Sequence, residues 1–321
     1  MKLGTIDVGT NTTLLLVAEG SGPLNVRVLD ERAEITRLGR GIGTDGRLGR
    51  AGIDHTLAVL AEYAAIARGH GAPLRAIGTE ALRRAPNAAE FLGPAATLLG
   101  TEIEVIDGAR EAALTFHAAV TSFPEIAARP IVVIDIGGGS TEVIVSEGGR
   151  VQSRVSLPLG SVRLTERFVR NDPPGAPEIA ALTAEIASHL GDLPPRPSGG
   201  GAPSWELIGT AGTVTTLAAM ALGLASYDPD RVHGHRLGRA ALQGQIDRLA
   251  RAPQAERETM AGLDPRRADV ILAGAHILRA FVDRLDVASV LVNDRGIRWG
   301  LLYEGMTPDG AVAPAPQAGH R

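Results

Sequence analysis

Two segments of this 321-residue chain repeat one another, and the repeat limits the possible folds more than any other feature. Residues 6–20 (IDVGTNTTLLLVAEG) and residues 134–148 (IDIGGGSTEVIVSEG) align without a gap, 128 positions apart, and seven of the fifteen positions are identical. Each copy has an apolar run, a short polar turn and a second apolar run, which predicts a β-hairpin. Two copies this far apart predict two related domains.

Strand patterns alternate with helical patterns along the rest of the chain, which predicts an α/β fold. The predicted helices lie near residues 50–69, 87–99, 109–121, 161–170, 177–190, 212–223, 238–250, 266–284 and 296–305. We expect one domain over residues 1–125 and a second over 126–305, with helix 296–305 able to pack back onto the first. Segments 172–175 and 194–204, rich in proline and glycine, predict loops, and residues 306–321 predict a disordered tail.

The composition excludes several kinds of chemistry. The chain has no cysteine, so disulfides, thiolate nucleophiles and thiolate metal sites are ruled out. Lys2 is the only lysine, which excludes both a Walker lysine and a pyridoxal Schiff base. A net charge of −4 argues against general nucleic-acid binding. Without a long apolar run or a signal-peptide pattern, we expect no membrane partner and a cytoplasmic location.

The turn in the second copy of the repeat has the composition of an anion site. It contains Gly137, Gly138 and Gly139, followed by the hydroxyl donors Ser140 and Thr141. Glycines allow positive φ and close approach to a ligand, and successive N–H groups in such a turn bind anions. Asp135 and Glu142 flank the turn and would repel a phosphate unless a hard cation such as Mg²⁺ lay between them. The alternative is a glycine-rich hairpin turn selected for its geometry alone.

Two other turns have the same character. The first copy of the repeat has Asp7 followed by Gly9, Thr10 and Asn11. Residues 208–213 (IGTAGT) run from a predicted strand into a helix, where Gly209, Thr210, Gly212 and Thr213 would expose N–H groups at the positive end of the helix dipole. Three such turns predict a phosphate-rich ligand, and the two repeated turns would hold it from opposite sides of a central cleft.

This set of turns resembles the actin, sugar-kinase and heat-shock-chaperone ATPase superfamily, whose ribonuclease H-like domains occur in duplicate. Within it, five segments resemble the exopolyphosphatase/guanosine pentaphosphate phosphatase (Ppx/GppA) family. They are residues 78–87 (GTEALRRAPN), 104–112 (EVIDGAREA), 135–142 (DIGGGSTE), 156–166 (SLPLGSVRLTE) and 292–300 (VNDRGIRWG). The segments occur in the family's order and span most of the chain.

The resemblance implies roles for individual residues. Glu111 matches the catalytic glutamate that deprotonates the attacking water, and Arg83 matches an arginine near the phosphates. Asp135 and Glu142 would hold Mg²⁺ (or Mn²⁺) with Asp7 facing them, and both repeated turns would bind phosphate oxygens. Without the family, Glu111 would be interpreted as a helix N-terminal glutamate favoured by the dipole. For Arg163 and Arg298, structural ion pairs and phosphate contacts both remain open.

The implied reaction is hydrolysis of a terminal phosphoanhydride bond in inorganic polyphosphate or guanosine pentaphosphate. Some family members carry further C-terminal helical domains that this sequence lacks, which favours short polyphosphate chains. A small-molecule kinase on the same fold and a non-catalytic polyphosphate or alarmone sensor are the alternatives. The family also suggests a homodimer.

Overall fold

In a computed structural model, which describes residues 1–42, 46–191, 193 and 205–307, the chain divides into two units. Unit 1 contains Met1–Pro124 and the C-terminal residues from Gly296 onward, and unit 2 contains Glu125–Arg295. The predicted loop at 194–204 and all of the predicted tail beyond Thr307 lie outside the described residues. Within the described ranges, no helix combines the length and apolar character needed to cross a membrane.

The strands and helices follow the predicted alternation closely. The first 124 residues form β1 (Lys2–Val8), β2 (Thr13–Gly22), β3 (Asn25–Glu34), α1 (Arg50–Gly69), β4 (Leu74–Gly78), α2 (Glu80–Arg84), α3 (Ala89–Leu99), β5 (Ile103–Val105) and α4 (Gly108–Ser122). Unit 2 forms β6 (Ile131–Ile136), β7 (Thr141–Glu147), β8 (Arg150–Leu157), α5 (Ser161–Phe168), α6 (Ala176–Leu190), β9 (Glu206–Thr210), α7 (Ala211–Ala221), α8 (Pro229–Val232), β10 (Arg236–Gly238), α9 (Arg239–Arg251), α10 (Gln254–Arg257), α11 (Ile271–Leu285) and β11 (Ser289–Val292). The chain then returns to unit 1 as α12 (Ile297–Met306).

Each unit is built on one mixed sheet, and this confirms the α/β prediction. The strand order is β3-β2-β1-β4-β5 in unit 1 and β10-β11-β9-β6-β7-β8 in unit 2. In both sheets an antiparallel three-stranded meander pairs through its first strand with a parallel neighbour: β1 with β4, and β6 with β9.

The sequence repeat is reproduced in the hydrogen-bonded register of the two hairpins. Ile6 pairs with Leu15 in unit 1, and Ile134 pairs with Val143 in unit 2, so both members of the pair shift by 128 positions. The turns close in the same way, because the N–H of residue 9 donates to the carbonyl of residue 12 at 3.0 Å and that of residue 137 donates to the carbonyl of residue 140 at 3.0 Å. The two units are therefore related in three dimensions as well as in sequence.

The core of unit 1 includes residues from both ends of the chain. One cluster joins the sheet to α1, α2 and α3. A second places Trp299, Tyr303 and Met306 of α12 against Leu3 of β1 and Ala118 of α4. These α12 side chains are almost fully buried, so the last described helix is an integral part of this unit's core.

Unit 2 has one large continuous core. All six residues of β6 are buried, which is why this strand is an apolar run interrupted only by Asp135, its penultimate residue. Helix α11 buries Ile271, Leu278 and Phe281 in the same cluster.

The differences from the predicted elements are local. The helix predicted at 266–284 begins at Ile271, because Pro265–Arg267 form a separate 3-10 turn capped by Asp264. Helices α2, α8 and α10 and strand β10 have three to five residues each, too few for a periodic pattern to reveal them. The predicted loop at 172–175 connects α5 to α6 and contains a cis Asp172–Pro173 bond.

Candidate active site

The turn at residues 137–140, hereafter the glycine turn, is supported from one side by the first turn of α5. The N–H of Ser161 donates to the Gly137 carbonyl at 3.0 Å, and the N–H of Val162 donates to the Gly138 carbonyl at 2.9 Å. The side chain of Arg163 donates from Nε to the Gly139 carbonyl at 2.8 Å. In a trans peptide the C=O and the following N–H point in opposite directions. The N–H groups after these carbonyls therefore point away from α5, as an anion-binding turn requires.

Close packing at Gly160 makes this support possible. Gly160 is the N-cap residue of α5, and a Cβ atom there would lie 2.2 Å from the Gly138 carbonyl oxygen. Only a glycine allows the helix to approach the turn so closely. At Gly137, by contrast, φ is not positive, and a Cβ atom would meet the Ser140 carbonyl at 3.2 Å. The positive φ expected from the sequence is therefore wrong for Gly137, where space for turn closure is the requirement.

The turn at residues 9–12, hereafter the first turn, is supported by the loop that follows β3. The N–H of Gly39 donates to the Thr10 carbonyl at 2.8 Å, and the N–H of Arg37 donates to the Asn11 carbonyl at 2.9 Å. These carbonyls are the repeat equivalents of those at Gly138 and Gly139. Asn11 is 7% exposed, and its Nδ2 atom has no hydrogen-bond partner in the described part of the chain. A buried amide donor without a partner is uncommon in native proteins, and a bound ligand or water is one way to satisfy it.

Two carboxylates lie side by side next to the glycine turn. Asp135 and Glu142 are directly opposed across the β6–β7 ladder, so their side chains project from the same face of the sheet. Their residues are 8% and 1% exposed, respectively. Glu142 Oε1 accepts hydrogen bonds from the hydroxyl of Ser140 at 2.8 Å and from that of Ser156 at 2.7 Å. The hydroxyl proton of Ser140 is thus directed to Glu142, which leaves its main chain to meet a phosphate.

This donor set fits a hard divalent cation. Carboxylate oxygens are the ligands that Mg²⁺ prefers, and it is commonly held by one or two carboxylates together with substrate phosphates and water. Among the described residues, no group of three or more acidic or histidine side chains forms a ready-made metal cage. The equivalent of Asp135 in unit 1 is Asp7, which is also buried. Asp7 is opposed to Leu14 on the neighbouring strand, whereas Asp135 is opposed to Glu142. The carboxylate pair thus belongs to unit 2 alone.

The third turn, at residues 208–213, connects β9 to α7. Thr210 is the N-cap of α7 and is fully buried, and its Oγ1 has no hydrogen-bond partner within the described ranges. Ala211 has φ of 68°, a strained value for a residue other than glycine. A Cβ atom at Gly212 would lie 2.3 Å from Nη1 of Arg267, so this guanidinium rests against the turn. Burial lowers the pKa of Arg267 from its usual range.

Three other predicted residues are packed within unit 2. The hydroxyl of Thr141 is fully buried and donates to the Leu159 carbonyl at 2.5 Å. Thr213 packs against α11, because a Cβ atom at Gly274 would lie 2.5 Å from its Cγ2. Gly209 is in close contact with Val214 and Val290. These three residues support the turns from inside the unit.

Glu111 and Arg83 come together in unit 1. Asp107 caps α4 by accepting the N–H of Arg110 at 2.8 Å, and this places Glu111 in the first helical turn, where it is 8% exposed. Arg83 Nη1 donates to the Ile106 carbonyl at 2.6 Å and lies 3.3 Å from Glu111 Oε2. An arginine and a buried carboxylate therefore occupy one local site at the start of α4.

Neighbouring arginines make different contacts. Arg84 pairs with Glu80 at 3.1 Å and is partly exposed, in line with a surface position. Arg298 is buried and pairs with Glu31, and its carbonyl accepts the hydroxyl of Thr5 at 3.0 Å. For Arg163 and Arg298, the structure thus provides contacts within their own units.

Several residues that support these turns were not assigned from the sequence. Ser156, Gly160 and Ser161 lie in a segment noted only for its family resemblance, and Arg267 and the 36–39 loop carried no signal. One signal was available: the tripeptide Ile-Gly-Thr occurs at 77–79 and again at 208–210. In the structure both copies end a strand and enter a helix, at β4–α2 and at β9–α7. This second repeat extends the relation between the units beyond the hairpins.

Comparisons with known proteins show similarity to one phosphatase family in sequence and in fold. The model of the Ppx/GppA phosphatase family matches residues 16–308. Exopolyphosphatase 2 of Mycobacterium tuberculosis is 35% identical over 305 residues, covering 89% of this chain and 94% of that protein. The crystal structure of the Aquifex aeolicus Ppx/GppA family member has a TM-score of 0.79 and 32% identity, covering 95% of this chain and 97% of the other. The structure of an exopolyphosphatase from Cytophaga hutchinsonii has a TM-score of 0.85 and 25% identity, with 95% and 98% covered.

Proposed function

Because the chain belongs to the Ppx/GppA phosphatase family, we propose that it releases orthophosphate by hydrolysing terminal phosphoanhydride bonds of inorganic polyphosphate or guanosine pentaphosphate. It is an exopolyphosphatase-type hydrolase. The observation that carries the proposal is the pair Asp135 and Glu142, buried beside a turn whose N–H groups point away from its supporting helix.

Unit 2 binds the phosphate end of the substrate. The N–H groups of the glycine turn donate to phosphate oxygens, and Thr210 offers its hydroxyl at the N-terminus of α7. Asp135 and Glu142 would hold a divalent cation, which the family implies, and we assign it as Mg²⁺, with Mn²⁺ as a substitute. When bound, the cation would neutralise phosphate charge and offset the repulsion between the two carboxylates and the substrate.

Unit 1 supplies the proton acceptor and a positive charge. Glu111 accepts a proton from the attacking water as the water oxygen bonds to the terminal phosphorus. The bond between that phosphorus and the bridging oxygen breaks, and the departing chain keeps the electron pair. Arg83, fixed by its bond to the Ile106 carbonyl, offsets charge that develops on the phosphoryl oxygens. The N–H groups of the first turn donate to phosphate oxygens, and Asp7 would bind the cation or its water ligands.

The decisive experiment measures phosphate release from polyphosphate, guanosine pentaphosphate and ATP, each with and without MgCl₂. We expect release from at least one of the first two substrates, dependent on the cation. Asp135→Asn should reduce it by about 100-fold or more, because one of the two paired carboxylates is removed. Asp247→Asn, which changes an exposed aspartate of α9, is the matched control. Transfer of the ATP γ-phosphate to an acceptor, or no release from any substrate, would reject the assignment.

We propose polyphosphate as the preferred substrate and a homodimer acting in the cytoplasm. A higher kcat/KM for guanosine pentaphosphate than for polyphosphate would contradict the substrate preference, and sedimentation as a monomer at micromolar concentration would contradict the homodimer.

A further inference from the structure

Three polar residues form a row across adjacent strands of unit 2. Asp135 on β6 is opposed to Glu142 on β7, and Glu142 is opposed to Ser156 on β8. Residues opposed in this way lie on the same face of a sheet and within contact distance. Ser156 therefore extends the carboxylate pair by one strand.

Two hydroxyl groups converge on one oxygen of Glu142. Ser140, from the glycine turn, donates to Oε1 at 2.8 Å, and Ser156, from the edge strand, donates to the same oxygen at 2.7 Å. Donors from two different elements hold this oxygen and restrain the orientation of the carboxylate.

The related row in unit 1 serves as an internal comparison. There Asp7 is opposed to Leu14, and Leu14 is opposed to Ala33. Unit 1 thus keeps the aspartate but lacks both the second carboxylate and the hydroxyl beside it. The serine on the third strand occurs in the unit that has the glutamate, which is the pattern expected if the serine serves the glutamate.

We propose that Ser156, together with Ser140, is a positioning residue that orients the Glu142 carboxylate for binding the divalent cation. The inference rests on the proposed function, in which the Glu142 carboxylate binds the divalent cation. Hydrogen-bond partners behind metal ligands set ligand orientation, and their removal typically lowers metal affinity by about 10- to 100-fold. Ser156 sits on an exposed strand position, so its loss should weaken cation binding without unfolding the protein.

The test compares Ser156→Ala, Ser156→Thr and Ser153→Ala in the full chain. Ser153 lies on the same strand and projects from the opposite face, since it is opposed to Val145. Mn²⁺ affinity is measured without substrate by electron paramagnetic resonance of the free ion, and thermal unfolding is followed in parallel. We expect Ser156→Ala to raise the Mn²⁺ dissociation constant about tenfold. Ser156→Thr, which keeps the hydroxyl, and Ser153→Ala should stay within about threefold of the parent, and all melting temperatures should be similar.

Unchanged Mn²⁺ affinity in Ser156→Ala would overturn the inference, as would a parent protein that takes up no Mn²⁺. A melting temperature that falls while Mn²⁺ affinity stays constant would indicate a purely structural serine. Phosphate release by the parent protein tests the proposed function independently of the Mn²⁺ measurement. A parent that releases no phosphate, yet loses Mn²⁺ affinity in Ser156→Ala, would reject the function and keep the positioning role.

Discussion

The contact between α5 and the glycine turn allows a sharp test by a single methyl group. In Gly160→Ala the new Cβ would lie 2.2 Å from the Gly138 carbonyl oxygen, and real Cβ atoms essentially never approach other atoms closer than 3.0 Å. The helix and the turn must therefore separate by at least about 0.8 Å, the difference between these distances. The N–H groups of Ser161 and Val162, which hold the turn at 3.0 and 2.9 Å, would then lose their carbonyl partners or pull them out of place.

A shift of this size should affect catalysis more than folding. Misplacement of a binding group by about 1 Å can cost about 100-fold in rate, whereas overpacking at one position typically costs about 1–3 kcal/mol of stability. We expect kcat/KM for phosphate release to fall by roughly 100-fold in Gly160→Ala, at a temperature where circular dichroism shows a folded protein. Both quantities are measured on the same preparation.

Gly238→Ala is the matched control. Gly238 is also an N-cap glycine in unit 2, at the start of α9, with an extended backbone, and a Cβ atom added there would meet no other atom within 4 Å. This variant should retain parental kcat/KM within about twofold. If Gly160→Ala were as active as Gly238→Ala, support of the glycine turn by α5 would have no role in phosphate binding.

Three further predictions concern single side chains. Glu111→Gln should lower kcat by about 100- to 10,000-fold with KM within a few-fold of the parent, while the exposed control Glu104→Gln should not; near-parental turnover would refute the base assignment. Arg83→Ala should lower kcat/KM by about 100-fold or more and Arg84→Ala by less than about twofold, so equal effects in steady-state kinetics would contradict a role at the phosphate. Burial, and secondarily the charge of Arg295, lowers the pKa of His233 to about 4. Between about pH 6.5 and about pH 4, the unfolded chain therefore binds a proton that the folded protein does not. The free energy of unfolding should fall as the pH is lowered through this range. The measurement is a pair of urea titrations, at pH 7 and at pH 4.5. The free energy of unfolding should fall less in His233→Asn than in the parent, and the difference should be only on the order of 1 kcal/mol because the ring is partly exposed. An identical fall in both proteins would assign the acid sensitivity to other groups.

Much of the fold could be predicted because its strongest signals are local. The repeated segments at residues 6–20 and 134–148 predicted the two hairpins. The two hairpins have the same register, so equivalent apolar positions face the same side of their sheets. Long helices such as α1 and α4 were predicted to within one residue, because they span several turns of a regular apolar pattern. Short elements such as α2 carry too few residues for a period to be visible.

The site was only partly predictable, because sequence patterns reveal residue types more readily than contacts. The carboxylates Asp135 and Glu142 stand out beside three glycines, but the serines that hold Glu142 look like ordinary strand and turn residues. Ser140 shows the limit most directly: its hydroxyl was expected to face the ligand, and it donates to Glu142. Gly160 could not be distinguished from other helix N-cap glycines until the distance to Gly138 was known.

The return of α12 to unit 1 has a consequence for biosynthesis. Ribosomes make the chain from its N-terminus, so the sheet of β1–β5 emerges well before the helix whose Trp299, Tyr303 and Met306 cover part of it. Unit 2 is continuous in sequence and can finish folding first, so the order of maturation runs against the order of synthesis. Ribosome-bound chains whose first 295 residues have emerged should therefore resist protease within residues 125–191 and 205–295 and be cleaved within the first 124; protection of both units would contradict this order.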